Sequence, residues 1–206
     1  MAERTDPEVV AVGGSASLDR AAEVLRAGGT VVLPTDTVYG LAVLPTVAGA
    51  TDQLVVLKDR AAAKPFAVLV ADVAQARHLV EAPTDVVAAW MDELWPGPLT
   101  LVLRRSAAAR KLALGGDPET IGVRCPDHAF VRALAAQVGP IATTSANRNG
   151  EPTPISARSA AAALTGSVAL VIDGGLAGTV ASTVVDASSE TWRILRPGAI
   201  GEDRLS

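Results

Sequence analysis

The chain has 206 residues, 49% of them apolar but only 3% aromatic, and a formal charge of -4. That length suits one α/β domain with a core of Val, Leu, Ile and Ala, able to bury enough surface without disulfide staples. The acidic balance argues against a dedicated nucleic-acid coat, which needs a broad positive footprint. Cys125 is the only cysteine, so no intramolecular disulfide is possible. The first ten residues carry no apolar signal core, and no uninterrupted apolar run approaches the ~18 residues of a bilayer span. These features predict a cytoplasmic protein without membrane contact.

In chain order, Ser17 is expected to cap a helix through Ala27, with Leu18, Ala22 and Leu25 on one stripe and Gly28-Gly29 as its stop. Thr30–Leu33 reads as a buried strand, Val47–Leu57 as a helix and Phe66–Val70 as a strand. Asp72 and Gln75 form a capping pair for a helix to Val80, and Thr84–Leu94 reads as the next helix, stopped by Trp95-Pro96-Gly97. Strands follow at Leu99–Leu103 and Ile121–Arg124, then a helix from an Asp127 cap to Val138. Further strands are expected at Ile141–Thr144, Ala169–Ile172, Ser182–Val185 and Trp192–Leu195, with a helix near Ser156–Leu164. The pattern predicts a twisted mixed β-sheet flanked by helices, in one domain over residues 1–206 with residues 1–8 mobile.

Several polar segments stand out against this apolar background. Pro34-Thr35-Asp36-Thr37-Val38-Tyr39-Gly40-Leu41 follows a buried strand with hydroxyls, a carboxylate and the only tyrosine. Ligands collect beyond strand ends in open α/β sheets, so this loop suits a small polar ligand; a turn whose side chains satisfy local amides is an equal alternative. Lys58, Arg60 and Lys64 lie close in sequence and could clamp a polyphosphate, or simply complement a helix C-terminus. Arg124 ends an apolar strand and could fork onto a carboxylate or reach out to solvent. Thr143, Thr144, Ser145 and Asn147 suit a phosphate or nucleotide contact, against an ordinary Ser/Asn turn. Gly174, Gly175 and Gly178, with Ser182, would let backbone approach a ligand closely.

Other chemistries find no support. There is no P-loop, no G-x-G-x-x-G after a strand and no metal-ligand spacing around His78 or His128, both read as surface residues. Cys125 has no positioned base and reads as a packed thiol. The reaction therefore depends on positioning and charge.

Taken together, PTDTVYGL at 34–41, KDR at 58–60 with KPFAVLV, WPGPLTLVL at 95–103, TIGVRCPDH at 120–128, ATTSANRNGEPTP at 142–154, STVVD at 182–186 and ILRPGAI at 194–200 resemble the YrdC/TsaC family of threonylcarbamoyl-adenylate synthases. The resemblance implies a YrdC-like (dihydroxybutanone-phosphate-synthase-like) fold with a concave, positively charged surface, in the single-domain form. It implies a nucleotidyltransferase that joins L-threonine, bicarbonate and ATP, releasing pyrophosphate, for N6-threonylcarbamoyladenosine formation in tRNA. Lys58 and Arg60 would be the catalytic phosphate contacts. Thr120, Ser145, Asn147 and Arg196 would complete the ATP site, while Thr35, Arg124, Thr143 and Ser182 would hold threonine. Mg2+ would ride on the ATP phosphates rather than in a protein cage. Transient contacts with tRNA or a downstream threonylcarbamoyl transferase complex are implied partners. The chain departs from the pattern in Asp36, where the family often has glutamate, and in Ala61, where it commonly has proline. The alternatives are a paralogue making another carbamoyl-adenylate, as in the related domain of HypF, or an RNA-binding module using Arg104, Arg105, Arg110 and Lys111.

Overall fold

The computed structural model describes residues 6–59 and 64–205. Its strands are β1 (Glu8–Ala11), β2 (Val31–Leu33), β3 (Gly40–Val43), β4 (Ala67–Leu69), β5 (Leu99–Arg104), β6 (Thr120–Arg124), β7 (Ile141–Ser145), β8 (Leu170–Asp173), β9 (Thr183–Asp186) and β10 (Arg193–Arg196). The helices are α1 (Gly14–Arg26), α2 (Ala50–Lys58), α3 (Val73–Leu79), α4 (Asp85–Leu94), α5 (Ala129–Val138) and α6 (Ala157–Ala162). Among the described residues the ten strands form one mixed sheet, ordered β1-β8-β2-β3-β7-β4-β6-β5-β9-β10. No helix among them is long and apolar enough to cross a membrane.

Strand alternation divides the sheet into two faces. One carries Val32, Leu41, Val43, Val68, Leu101, Leu103, Ile121, Val123 and Val185, packed with apolar side chains of α2, α3, α4 and α6. The opposite face carries Val31, Leu33, Ala42, Leu69, Ile141, Leu170 and Ile172 beneath α1 and α5. These two helices cover only the β1–β4 side of that face. Continuing across β6, β5 and β9 at the same parity come Gly122, Arg124, Thr100, Val102 and Val184, which line an open cleft. The aromatic-poor sequence explains the arrangement: short branched side chains make a flat sheet surface, and only a helix with its own apolar stripe can seal it.

Local structure departs from the sequence expectation at several points. α1 begins at Gly14, three residues before Ser17. Ser17 sits inside it, buried, donating to the Gly13 carbonyl at 2.7 Å, the back-bonding available to a helical serine. The first strand opens at Glu8, inside the segment expected to be mobile; residues 1–5 lie outside the described residues. β3 begins at the end of the 34–41 segment read as a loop and runs on to Val43, a strand not expected from sequence because Gly40 and Ala42 dilute its β signal. α2 starts at Ala50 rather than Val47, and ends where Asp59 adopts a left-handed φ of 49°. His128, not Asp127, occupies the cap position of α5; Asp127 pairs with Arg132 instead. Asp72, Thr84 and Ser156 cap α3, α4 and α6 through their side chains.

Candidate active site

The cleft has a volume of about 650 Å³ and lies on the uncovered half of the sheet face, not beyond the strand ends. Its floor is low because small side chains meet across neighbouring strands: Thr143 pairs Ala67, and Ala67 pairs Gly122. Gly40 belongs to the same surface, and a Cβ there would come within 2.8 Å of the Thr143 hydroxyl. Among the described residues the lining includes four cations, Lys64, Arg105, Arg124 and Arg196, and no aspartate or glutamate. A protein with formal charge -4 thus concentrates positive charge in this cleft.

Arg124 stands at one end, its side chain 7% exposed. Nε donates to the Gly97 carbonyl at 3.0 Å, Nη1 to Thr37 Oγ1 at 2.9 Å and Nη2 to Asp36 Oδ1 at 2.5 Å. Gly97 reaches this position because its own N–H donates to the Cys125 carbonyl, and a Cβ there would lie 2.3 Å from the Leu94 carbonyl oxygen. Burial lowers the pKa of Arg124 while the Asp36 charge opposes the shift; a guanidinium remains protonated in either case. Three of its five N–H groups are engaged by the protein, leaving two for a ligand.

The 34–39 loop therefore does two things. Thr35 Oγ1 accepts from the N–H groups of Thr37 and Val38 and donates to the Val38 carbonyl, forming the local turn weighed from sequence. With that proton committed, Thr37 donates to Thr35 across 3.0 Å. Asp36, in contrast, reaches Arg124 across 88 positions in sequence. Tyr39 is fully buried, donates to the Gly175 carbonyl and accepts from Gly174 N–H, so it braces the glycine segment rather than facing a ligand. The close approaches made by Gly174 and Gly178 are to Pro34 and to the Thr37 carbonyl.

Arg196 reaches the cleft through a β-bulge. Ile194 pairs Val185, yet Arg196 rather than Leu195 pairs Val184. The extra residue brings the guanidinium onto the cleft face, where strict alternation would turn it away. Its Nε and Nη2 donate to the Ser182 carbonyl, and Nη2 also reaches Ser182 Oγ at 3.1 Å. Ser182 Oγ lies 2.9 Å from Thr100 Oγ1, so the hydroxyls of β5 and the β9 entrance are joined. Partial burial and the nearby Arg124 charge both lower the pKa of Arg196.

Lys58 ends α2 and is only 4% exposed. Its Nζ donates to the Ser145 carbonyl, to Ser145 Oγ at 3.3 Å and to Asn147 Oδ1 at 3.2 Å. Ser145 Oγ donates to the same Asn147 oxygen at 2.6 Å. Lys58 and the S-x-N motif are thus one cluster, in which Ser145 lines the cleft while Lys58 and Asn147 do not. Arg60 lies outside the described residues. Of the remaining expected residues, Thr35, Thr120, Arg124, Thr143, Ser145, Ser182 and Arg196 line the cleft together.

Sequence reasoning did not assign Thr37, Asp36, Thr100 or Arg105. The repeated hydroxyl of PTDT signalled the first. Nothing local signalled Arg105, which is 4% exposed and donates to the carbonyls of Thr120 and Leu112. Burial lowers its pKa against the raising influence of Asp117 and Glu119. Its position removes it from the surface patch considered for RNA, and Arg110 in that patch faces Glu81 and Glu119. His128 is half-buried rather than on the surface; its Nδ1 is buried with no hydrogen-bond partner among the described residues, and burial lowers its pKa. Cys125 is a buried thiol whose pKa burial pushes up to about 11, consistent with a packing role.

Comparison with known proteins decides the family. The sequence model of Sua5, YciO and YrdC proteins, described as "Telomere recombination", matches residues 23–198. The chain belongs to the Sua5/YciO/YrdC family. It is 38% identical over 205 residues to a threonylcarbamoyl-AMP synthase of Mus musculus, covering 94% of this chain and 71% of that one. It is 35% identical over 188 residues to a threonylcarbamoyl-AMP synthase of Bacillus subtilis, covering 90% of this chain and 54% of the relative. This family member therefore spans about half the length of its Bacillus relative. The crystal structure of P. abyssi Sua5 complexed with L-threonine superposes with a TM-score of 0.86 at 32% identity, covering 98% of this chain and 60% of that protein.

Proposed function

We propose that this protein is an L-threonylcarbamoyladenylate synthase, a nucleotidyltransferase that converts L-threonine, bicarbonate and ATP into threonylcarbamoyl-AMP and pyrophosphate. The observation that carries this reading is the carboxylate-free cationic cleft with the Arg124 fork at one end. The relatives named above support the choice of reaction. The P. abyssi relative's complex with L-threonine supports the amino-acid substrate. We read residues 1–206 as one YrdC-like unit working in the cytoplasm, its product consumed by a transferase acting on tRNA.

In this reading Arg124 takes the threonine carboxylate on its two uncommitted N–H groups, a bidentate match to a planar anion. Thr143, Ser182 and the Thr35–Thr37 turn present oxygens around the amine and side chain. Threonine and bicarbonate give an N-carboxylate, and one of its oxygens attacks the α-phosphorus of ATP as pyrophosphate leaves. The barrier falls chiefly through orientation of two reactants and neutralisation of phosphoryl charge. Lys58 contributes by exchanging one of its acceptors at Ser145 or Asn147 for a phosphate oxygen, with Arg60 beside it in sequence. Thr120 and Arg196 complete the nucleotide contacts. Among the described residues no three His, Cys, Asp or Glu side chains converge as a metal cage. Magnesium would be held chiefly by the nucleotide rather than by protein carboxylates, and would supply charge neutralisation to the pyrophosphate that leaves.

The test is pyrophosphate release and a threonylcarbamoyl-AMP mass that require threonine, bicarbonate and Mg-ATP together. Lys58→Met, which keeps the aliphatic bulk, is expected to lower turnover about 10²–10³-fold. Arg60→Ala is the companion variant. Wild-type protein that makes no such product, yet turns over with another carbamoyl donor, would sink the threonine assignment; undiminished turnover in both variants would remove the phosphate clamp.

A further inference from the structure

Arg124 and Arg196 meet at the same end of the cleft, on either side of one short backbone segment. Arg124 Nε holds the Gly97 carbonyl; the next carbonyl, Pro98, accepts Thr183 N–H at 3.0 Å; and the neighbouring Ser182 carries Arg196. Both guanidiniums are fixed by protein acceptors before any ligand arrives, and each retains donors. Arg124 has one uncommitted N–H on each terminal nitrogen. For Arg196, the two N–H groups of Nη1 have no acceptor among the described residues. Arg196 forms no ion pair there either, while Asp36 engages Arg124 alone. This end of the cleft therefore carries two guanidiniums, one counter-charge and four open N–H groups: a fork across the two terminal nitrogens of Arg124 for one carboxylate, and the diverging pair on Arg196 Nη1 to donate to a second.

Threonine in solution does not match that arrangement. As a zwitterion it offers a single carboxylate, which occupies Arg124 and leaves the Nη1 donors of Arg196 without an anion, while its ammonium meets hydroxyl oxygens rather than a cleft-lining carboxylate among the described residues. The match arises only after the first chemical step. The ammonium gives a proton to solvent; the amine nitrogen attacks the bicarbonate carbon; the carbon–hydroxyl bond breaks; and the departing hydroxide takes the second amine proton as water. The product is N-carboxythreonine, with a carboxylate on Cα and another on nitrogen.

Building on the functional reading above, we propose that Arg124 and Arg196 form a receptor for this dianion, with Arg124 on the α-carboxylate and Arg196 on the N-carboxylate. Ser182 sets their spacing as the positioning residue, since its carbonyl and hydroxyl both anchor Arg196. The site thereby draws the unfavourable carboxylation equilibrium toward the labile intermediate and holds its attacking oxygen next to the nucleotide. A residue that holds that oxygen necessarily borders the α-phosphate, so contact between Arg196 and ATP is compatible with this role.

The probe is 2-(1-hydroxyethyl)succinate, in which a methylene replaces the carbamate nitrogen and both carboxylates are permanent. Calorimetric titration of the whole chain without nucleotide compares it with L-threonine. Wild type is expected to bind the dicarboxylate about tenfold or more tightly than threonine. Arg196→Gln is expected to close that gap to within about threefold while moving threonine affinity less than about threefold, and Arg196→Lys to restore part of it. Thermal melts of the variants check that the exposed rim position leaves the fold intact. Threonine binding to wild type with no gain for the dicarboxylate overturns the proposal alone, as does a gap that survives in Arg196→Gln while ATP affinity falls. Failure of wild type to bind threonine at millimolar concentration sinks the functional reading and this proposal with it.

Discussion

The two halves of one sheet face follow the same backbone rule and end in opposite uses. On one side Val31, Leu33, Leu170 and Ile172 point up into α1 and α5 and are fully buried. On the other, Ala67, Gly122, Thr100 and Arg124 stand at the same parity and line the open cleft. The difference lies in side-chain volume and polarity. Large branched groups must be covered, since each exposes enough apolar surface to cost about 1.5–3 kcal/mol when left in water. Glycine, alanine and threonine expose little, so that half can stay open and hold a ligand. The open half is a region of sheet where apolar bulk is reduced, Val102 and Val184 being its branched apolar residues at that parity.

Filling the open half should give the largest effect. Gly122 does not need a left-handed backbone, and a Cβ there would meet Thr100 Cγ2 at 3.6 Å and Ala67 at 3.8 Å, ordinary contact distances. Gly122→Val is therefore expected to leave the melting temperature unchanged or raised, because valine suits a strand better than glycine. The branched side chain would stand on the cleft floor between the two ends of the site. Turnover is expected to fall at least about 100-fold, since a misplacement near 1 Å already costs that much in an oriented reaction. A folded Gly122→Val protein with normal turnover would show that the ligand does not cross this floor.

The matching change on the covered half should do the reverse. Leu170 lies between β1 and β2 in the buried cluster. Leu170→Ala is expected to cost about 2–5 kcal/mol of stability through lost burial and the cavity left behind. Below its lowered melting temperature, turnover per folded molecule should remain within about twofold. Urea unfolding read beside the activity assay separates the two quantities. If both variants lost activity and stability in parallel, the division of labour across this face would be wrong.

How much of this division could be read from the sequence depends on how local its causes are. The strands β2, β5, β6 and β8 announce themselves as branched runs, and Asp72 with Gln75 as a capping pair, whereas Thr84 and Ser156 read only as the starts of helices and their capping shows in the structure. Arg124 was legible because a cation closing an apolar strand is conspicuous. The turn made by Thr35 was legible as an alternative, but the Asp36–Arg124 pair was not, for it joins β6 to a loop 88 positions away. Arg196 was found by motif alone; the bulge that brings it to the cleft depends on its pairing with β9, which no local pattern encodes. Arg105 escaped because adjacent arginines read as surface charge, and only tertiary packing distinguishes the buried one. Long-range pairing, not residue type, marks the limit.

The smallest expected effect tests whether elements outside the compared face remain neutral to the chemistry. Ser156 caps α6 on the opposite face of the sheet, accepting from Ser159 N–H at 3.3 Å while Ser159 Oγ accepts from Ser156 N–H at 3.2 Å. This reciprocal box satisfies two donors that a six-residue helix would otherwise leave open. Ser156→Ala removes one acceptor and frees its partner, and is expected to cost about 1 kcal/mol. Neither residue lines the cleft, so threonine and ATP dependence should be unchanged. The loop after α6 and β8 nevertheless meets this cap through the Ser156–Leu176 bridge, and that loop carries Gly174 and Gly178 onto the Pro34–Thr37 turn. If Ser156→Ala raised the KM for threonine more than about threefold, the helical face would be feeding the cleft through this loop. An unchanged KM with a lowered unfolding midpoint assigns the cap to stability alone.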